Sequence, residues 1–164
     1  MLPLDELERA AVAAGCLTVR DEPMNRHTTF RIGGPADLFV TVCSEEGMQL
    51  LLRETSRLHV PLFVLGKGSN LLVSDRGVRG CVAVLAGDFN EISLRGETDI
   101  SCGPAVSLAG LCNFAKKNQL TGLEFAWGIP GSAGGAAYMN AGAYGGEMKD
   151  VLIKCRHLDE NGNP

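Results

Sequence analysis

Apolar residues recur at helical spacing from Leu4 to Ala14, and Gly15 follows where such a helix would end. Residues 36–43, ADLFVTVC, read as a strand. Ser44 then stands where an N-cap belongs, before a helix running to about Leu58 with Met48, Leu51, Leu52 and Thr55 on one face. Pro61 ends that pattern, and PLFVLG (61–66) is a short apolar run of the kind buried on both faces of a sheet. Strand, helix and strand in this order predict a βαβ unit with a parallel pair.

The second half is patterned differently. LLVSD (71–75) and CVAVL (81–85) read as strands separated by a turn at Arg76-Gly77. EISLRGETDISCG (91–103) alternates and turns at Arg95-Gly96-Glu97, which predicts a hairpin. Ser107 to Asn118 reads as a helix with Leu108, Leu111, Cys112 and Ala115 inward, and Lys116 and Lys117 suit its C-terminal end. VLIKCRHLD (151–159) reads as a strand and ENGN (160–163) as a hairpin turn. A turn with no returning strand leaves an open edge, so the sequence reads as a truncated chain. Two parts are expected, residues 1–86 and 87–164.

Between the last helix and that strand lies GIPGSAGGAAYMNAGAYGG (128–146), nineteen residues of which seven are glycine. Each interior glycine costs a helix about 1 kcal/mol relative to alanine. A flexible linker would be more polar and would not carry Ile129, Met139 and two tyrosines. A second bare stretch, GKGSN (66–70), directly follows a predicted strand. Glycine lets a ligand approach main-chain N–H groups, and adjacent N–H groups on such a loop form an anion site. Ser69, Asn70, Ser132 and Asn140 add neutral hydrogen-bonding side chains. Two such loops could hold a pyrophosphate. Neither common phosphate signature fits: Gly66-Lys67-Gly68-Ser69 lacks the first glycine of the P-loop, and Leu71 stands where the dinucleotide fingerprint needs its third glycine. A tight structural turn at 66–70 and a close-packed small-residue helix in 128–146 remain the alternatives.

Composition narrows the rest. The 164 residues are 45% apolar and 21% charged, with net charge −4, as in a soluble globular chain. No basic run could neutralise many phosphates, which argues against nucleic-acid binding. Six cysteines at irregular spacing, with no CxxC, read as reduced thiols in apolar runs rather than as a disulfide framework or a metal site. The N-terminus lacks the basic and apolar regions of a signal peptide, and no apolar run approaches a membrane span. A cytoplasmic location follows as the expectation, with no membrane and no obligate protein partner.

HTTFRIGGPAD (27–37), LGKGSNLLVSDRGVRG (65–80) and GLEFAWGIPGSAGGAAYMNAGAYGGEMKDVL (122–152) strongly resemble the UDP-N-acetylenolpyruvoylglucosamine reductases, from about Leu4 to the last residue. The first motif opens with His27 where that family more often has asparagine. The resemblance implies an α+β fold: a two-lobed FAD-binding domain of the vanillyl-alcohol oxidase and p-cresol methylhydroxylase type, truncated before the substrate-binding domain. It assigns Gly66, Lys67, Gly68, Ser69, Asn70 and Leu71 to a first pyrophosphate loop. It assigns Ile129, Pro130, Gly131, Ser132, Gly134 and Gly135 to a second, and Asn140, Ala141, Gly142 and Tyr144 to the stretch beside the flavin.

The implied reaction is NADPH-dependent, FAD-mediated reduction of UDP-N-acetylglucosamine enolpyruvate to UDP-N-acetylmuramate, in peptidoglycan precursor synthesis. The arginine, glutamate and proton-donating serine that serve it in the family lie downstream of the Asn161-Gly162-Asn163 turn. The resemblance therefore gives this chain no catalytic residue and no metal, and implies that the chain alone is inactive. A stand-alone flavin-binding module without catalysis is the competing reading, and a flavin oxidase a weaker third. Lys67 could steer phosphates or be a solvated turn residue. Arg31 could brace a flavin loop or pair with Asp37, and Tyr144 could touch a ligand or pack. Trp127 reads as a packing residue, Glu124 as a cap, and His27, His59 and His157 as surface or structural.

Overall fold

The computed structural model describes residues 2–164. They form two compact units. The first runs up to Gly87 and is completed by Arg156–Pro164; the second is Asp88–Cys155.

The first unit is built on a four-stranded sheet: β1 (Leu17–Pro23), β2 (Pro35–Val42), β3 (Leu62–Leu65) and β4 (Val78–Leu85), in the order β1-β2-β4-β3. β1 is antiparallel to β2, whereas β2 and β3 both run parallel to β4. The predicted crossover is present, but β4 lies between its two strands. Leu38, Val40 and Val42 alternate with Phe39 along β2 and are fully buried. Each such side chain contributes about 1.5–3 kcal/mol of transfer free energy. Two helices, α1 (Leu4–Ala13) and α2 (Glu45–Arg57), pack on each other and on β2. Ser44 caps α2 as its sequence predicts, its hydroxyl accepting the Gly47 N–H at 3.2 Å. A second cluster joins Met24, Ala36, Phe39, Leu65, Val73 and Val82.

Two sequence expectations fail here, and one strand is unexpected. β3 is an edge strand, so Phe63 and Val64 are exposed rather than buried on both faces. Residues 71–75 form no strand, because the Ser74 carbonyl is taken by Gly34 and Gly77 N–H groups in a loop. β1 went unpredicted because its inward side chains are polar: Thr18 and Arg20 bond Glu8 of α1 at 3.1 and 2.7 Å.

The second unit opens with the predicted hairpin, β5 (Ile92–Arg95) and β6 (Asp99–Cys102), turning at Gly96 with φ +65°. Helix α3 (Leu108–Lys117) is capped by Ser107, which accepts the Gly110 N–H at 3.1 Å. Its core joins Leu108, Leu111, Cys112, Phe125, Ala133, Ala136 and Met148. The short helix α4 (Ala133–Met139), a two-residue hairpin of β7 (Gly142–Ala143) and β8 (Gly146–Glu147), and the single turn α5 (Met148–Val151) complete it. The predicted strand at 151–159 is absent: among the described residues no strand pairs with it. The turn after it is present, with Gly162 at φ +78° and the Asp159 carboxylate accepting the N–H groups of Asn161 and Asn163 at 2.8 Å. This segment rejoins the first unit. Arg156 forks onto Glu45 of α2, and Gly162 lies against the Gln49 carbonyl. All six cysteines are free thiols.

Candidate functional site

The first glycine loop leaves the end of β3 at Gly66. Gly68 is buried with φ +62°, a conformation that disfavours any side chain. A Cβ there would stand 1.9 Å from the His27 carbonyl oxygen. The Gly68 carbonyl in turn accepts the Thr29 N–H at 3.0 Å. The loop is thus moulded on residues 27–29. Those residues are fixed in their own right: Thr28 is buried and donates its hydroxyl to the Ile32 carbonyl at 3.1 Å. Below them Gly33 and Gly34 press on Val73 and the Asp75 carbonyl.

On the other side of the loop Gly66, Lys67 and Asn70 are exposed, Ser69 and Leu71 half-buried. No main-chain carbonyl among the described residues accepts the N–H of Gly68 or Asn70. Lys67 makes no ion pair among the described residues. Arg31 does not reach Asp37, which binds Arg79 at 2.8 Å and the Gly80 N–H at 2.9 Å. Arg31 instead sits exposed at φ +55°.

The second glycine segment lies in the other unit and is held by different means. The Ala133 N–H donates to the Val106 carbonyl, Gly134 to Pro104, and Gly135 to the Ser132 hydroxyl. A Cβ on Gly134 would meet Pro104 at 2.6 Å, so this glycine allows close packing. Gly131 has only Leu108 nearby, at 3.7 Å from its would-be Cβ, and Gly128 has open space. The N–H groups of Gly131 and Ser132 meet no main-chain acceptor among the described residues. Ile129 is half-buried and Pro130 exposed.

Asn140 ends α4 in the left-handed region, φ +46°. Its side chain donates to Glu147 at 2.6 Å and accepts the Lys149 N–H at 2.9 Å. The Lys149 ammonium, also 2.6 Å from Glu147, and the Asn140 amide hold that carboxyl below its usual range. This clip fastens the hairpin carrying Ala141, Gly142 and Tyr144. Tyr144 and Gly145 both have positive φ, +53° and +86°, the signature of a type I′ turn. Such turns favour Asn or Gly first, so a tyrosine there is strained. It is also 95% exposed. Asn140, Gly142, Ala143, Gly145, Gly146 and Glu147 line an open concavity of about 470 Å³.

Trp127 is exposed rather than packed, and Glu124 accepts the Gly122 N–H at 2.8 Å. His27, unassigned by sequence beyond a structural role, lies directly behind the first loop; its contact with Gly68 spans forty-one positions and no local pattern signals it.

A family model described as an FAD binding domain matches residues 36–164. The chain belongs to this family. Over 143 residues it is 49% identical to the UDP-N-acetylenolpyruvoylglucosamine reductase of Caldanaerobacter subterraneus, an alignment covering 87% of this chain and 47% of the relative. The Clostridioides difficile protein of the same name is 44% identical over the same shares. The crystal structure of the Thermus caldophilus reductase superposes with a TM-score of 0.69 at 39% identity, covering 84% of this chain and 46% of that one. The α+β fold expected from the sequence is therefore borne out, as is membership of an FAD-binding family. The FAD-binding domain described here spans about half the length of the curated relatives it matches. Among the described residues no helix is long and apolar enough to cross a membrane.

Proposed function

We propose that this chain binds FAD and forms the flavin-binding part of a UDP-N-acetylenolpyruvoylglucosamine reductase, which uses NADPH to reduce UDP-N-acetylglucosamine enolpyruvate in cell-wall precursor synthesis. The observation that carries the reading is the Gly66–Asn70 loop. Its central glycine faces protein backbone, and the N–H groups of Gly68 and Asn70 meet no main-chain acceptor. That is the chemistry an anionic pyrophosphate needs.

In this reading Gly66, Lys67, Gly68, Ser69, Asn70 and Leu71 form the first phosphate loop. Ile129, Pro130, Gly131 and Ser132 form the second, in which the N–H groups of Gly131 and Ser132 meet no main-chain acceptor among the described residues, and Gly134 and Gly135 pack the segment. Asn140, Ala141, Gly142 and Tyr144 would hold the isoalloxazine. When bound, the flavin supplies hydride-transfer chemistry. The chain's own residues would bind and orient it: the glycines would admit the phosphates, Lys67 would offer an exposed cation, and the strained Tyr144 is presented on a hairpin clipped by Asn140, Glu147 and Lys149. No residue of this chain is assigned a proton-transfer role. The six free thiols suit the reducing cytoplasm.

Absorbance of the purified chain after incubation with FAD and desalting tests this. Retained flavin bands are expected. A colourless protein that is folded by circular dichroism would overturn the reading.

A further inference from the structure

We infer that His27 is a positioning residue for the phosphate loop: its side chain, held from two directions, fixes the main-chain carbonyl on which Gly68 folds. The inference rests on the reading that this loop binds the pyrophosphate of FAD.

The imidazole stacks on Phe39 with ring centroids 4.2 Å apart and planes 28° apart. Phe39 lies on β2, between β1 and β4 in the sheet, and is 5% exposed, so it is an immobile base. At the ring's far edge Nε2 stands 2.9 Å from Glu22 Oε1. Glu22 is itself a poorly exposed carboxylate on β1, with Arg26 at 3.7 Å. Stacking fixes the plane of the ring, and the bond to Glu22 fixes its rotation within that plane. The backbone at His27 is held as well, its N–H donating to Met24 at 2.9 Å.

The His27 carbonyl therefore has little freedom, and it occupies the place a side chain on Gly68 would need. The Thr29 N–H grips the Gly68 carbonyl two residues later. The loop's conformation is set by a template that is complete before any ligand arrives. Preorganisation of this kind shows in affinity, because the ligand need not order the loop. Removing the ring anchors while leaving the sheet intact loosens the carbonyl and lowers affinity without unfolding the protein.

The test is fluorescence titration of FAD with the full chain, alongside thermal unfolding without FAD, for wild type, His27→Ala, His27→Phe and His27→Gln. His27→Phe keeps the stack and His27→Gln keeps a donor for Glu22. About tenfold weaker FAD binding is expected for His27→Ala, the size of one well-placed hydrogen bond, with intermediate losses for the other two. The unliganded melting temperatures of His27→Phe and His27→Gln should stay near wild type. Wild-type affinity in all three variants would overturn the inference while leaving the proposed function standing. So would weakened binding that tracks loss of fold in all three, since His27 would then be only structural. Failure of wild type itself to bind FAD would instead sink the reading of the loop.

Discussion

The two glycine-rich segments look alike as sequence and are opposite as structure. In the first, the glycine turns inward: Gly68 meets the His27 carbonyl, and the N–H groups of Gly68 and Asn70 meet no main-chain acceptor among the described residues. In the second, the N–H groups of Ala133, Gly134 and Gly135 are bonded within the protein, and Gly134 serves contact with Pro104. The first is bare because of its backbone conformation, the second largely because of packing. Gly128 and Gly131 keep the open character that the whole segment suggests as sequence.

Substitutions should separate the two regions. Gly68→Ala combines a positive φ with a backbone clash; it should destabilise the first unit by about 3 kcal/mol and abolish FAD retention, read by denaturant unfolding and by the desalting assay. Gly134→Ala should cost roughly 1–3 kcal/mol by overpacking against Pro104, visible as faster hydrogen exchange in the second unit with the first unchanged. Equal loss of exchange protection in both units would break the distinction. Ser132→Ala removes the cap of α4 and should cost about 1 kcal/mol in urea unfolding. Tyr144→Asn has the opposite sign: relief of the left-handed tyrosine should stabilise by about 1 kcal/mol, measured by the same titration.

The smallest effect concerns the hairpin clip. The Glu147 carboxyl is lowered by its bonds to Lys149 and Asn140. A carboxyl lowered in the fold contributes stability above its unfolded pKa and loses it as pH falls through the folded value. The clip should therefore persist at neutral pH and release only under acid conditions. Lys149→Met should move the NMR titration midpoint of Glu147 upward, and an unchanged midpoint would break the assignment.

Legibility followed locality. α1, α2 and α3 were readable because each carries an apolar stripe, and α2 and α3 add a serine cap whose hydroxyl does bond the third helical N–H. The hairpin at 92–102 and the turns at Gly77, Gly96 and Gly162 were readable from alternation and turn residues. Position within the sheet was not. β3 reads as a core strand and sits at an edge, because strand order depends on where β4 inserts. β1 was hidden because its inward partners are Glu8 and Asp5 rather than apolar residues. Residues 151–159 have strand-like composition, yet a strand exists only with a neighbour. At the site, the glycine positions were legible while the reasons for them were not, since His27 and Pro104 approach from distant sequence.

The return of Arg156–Pro164 to the first unit makes that unit discontinuous along the chain. A ribosome would release the four strands of its sheet early, then produce the whole of Asp88–Cys155 before the segment that clasps α2 through Glu45 and Gln49 emerges. At 5–20 residues per second that interval is roughly 3–14 s, far longer than a hairpin or helix needs to form. The second unit is thus an insertion that has time to fold before Arg156–Pro164 is made, and the Glu45–Arg156 fork can form only after the whole of that insertion has been synthesised.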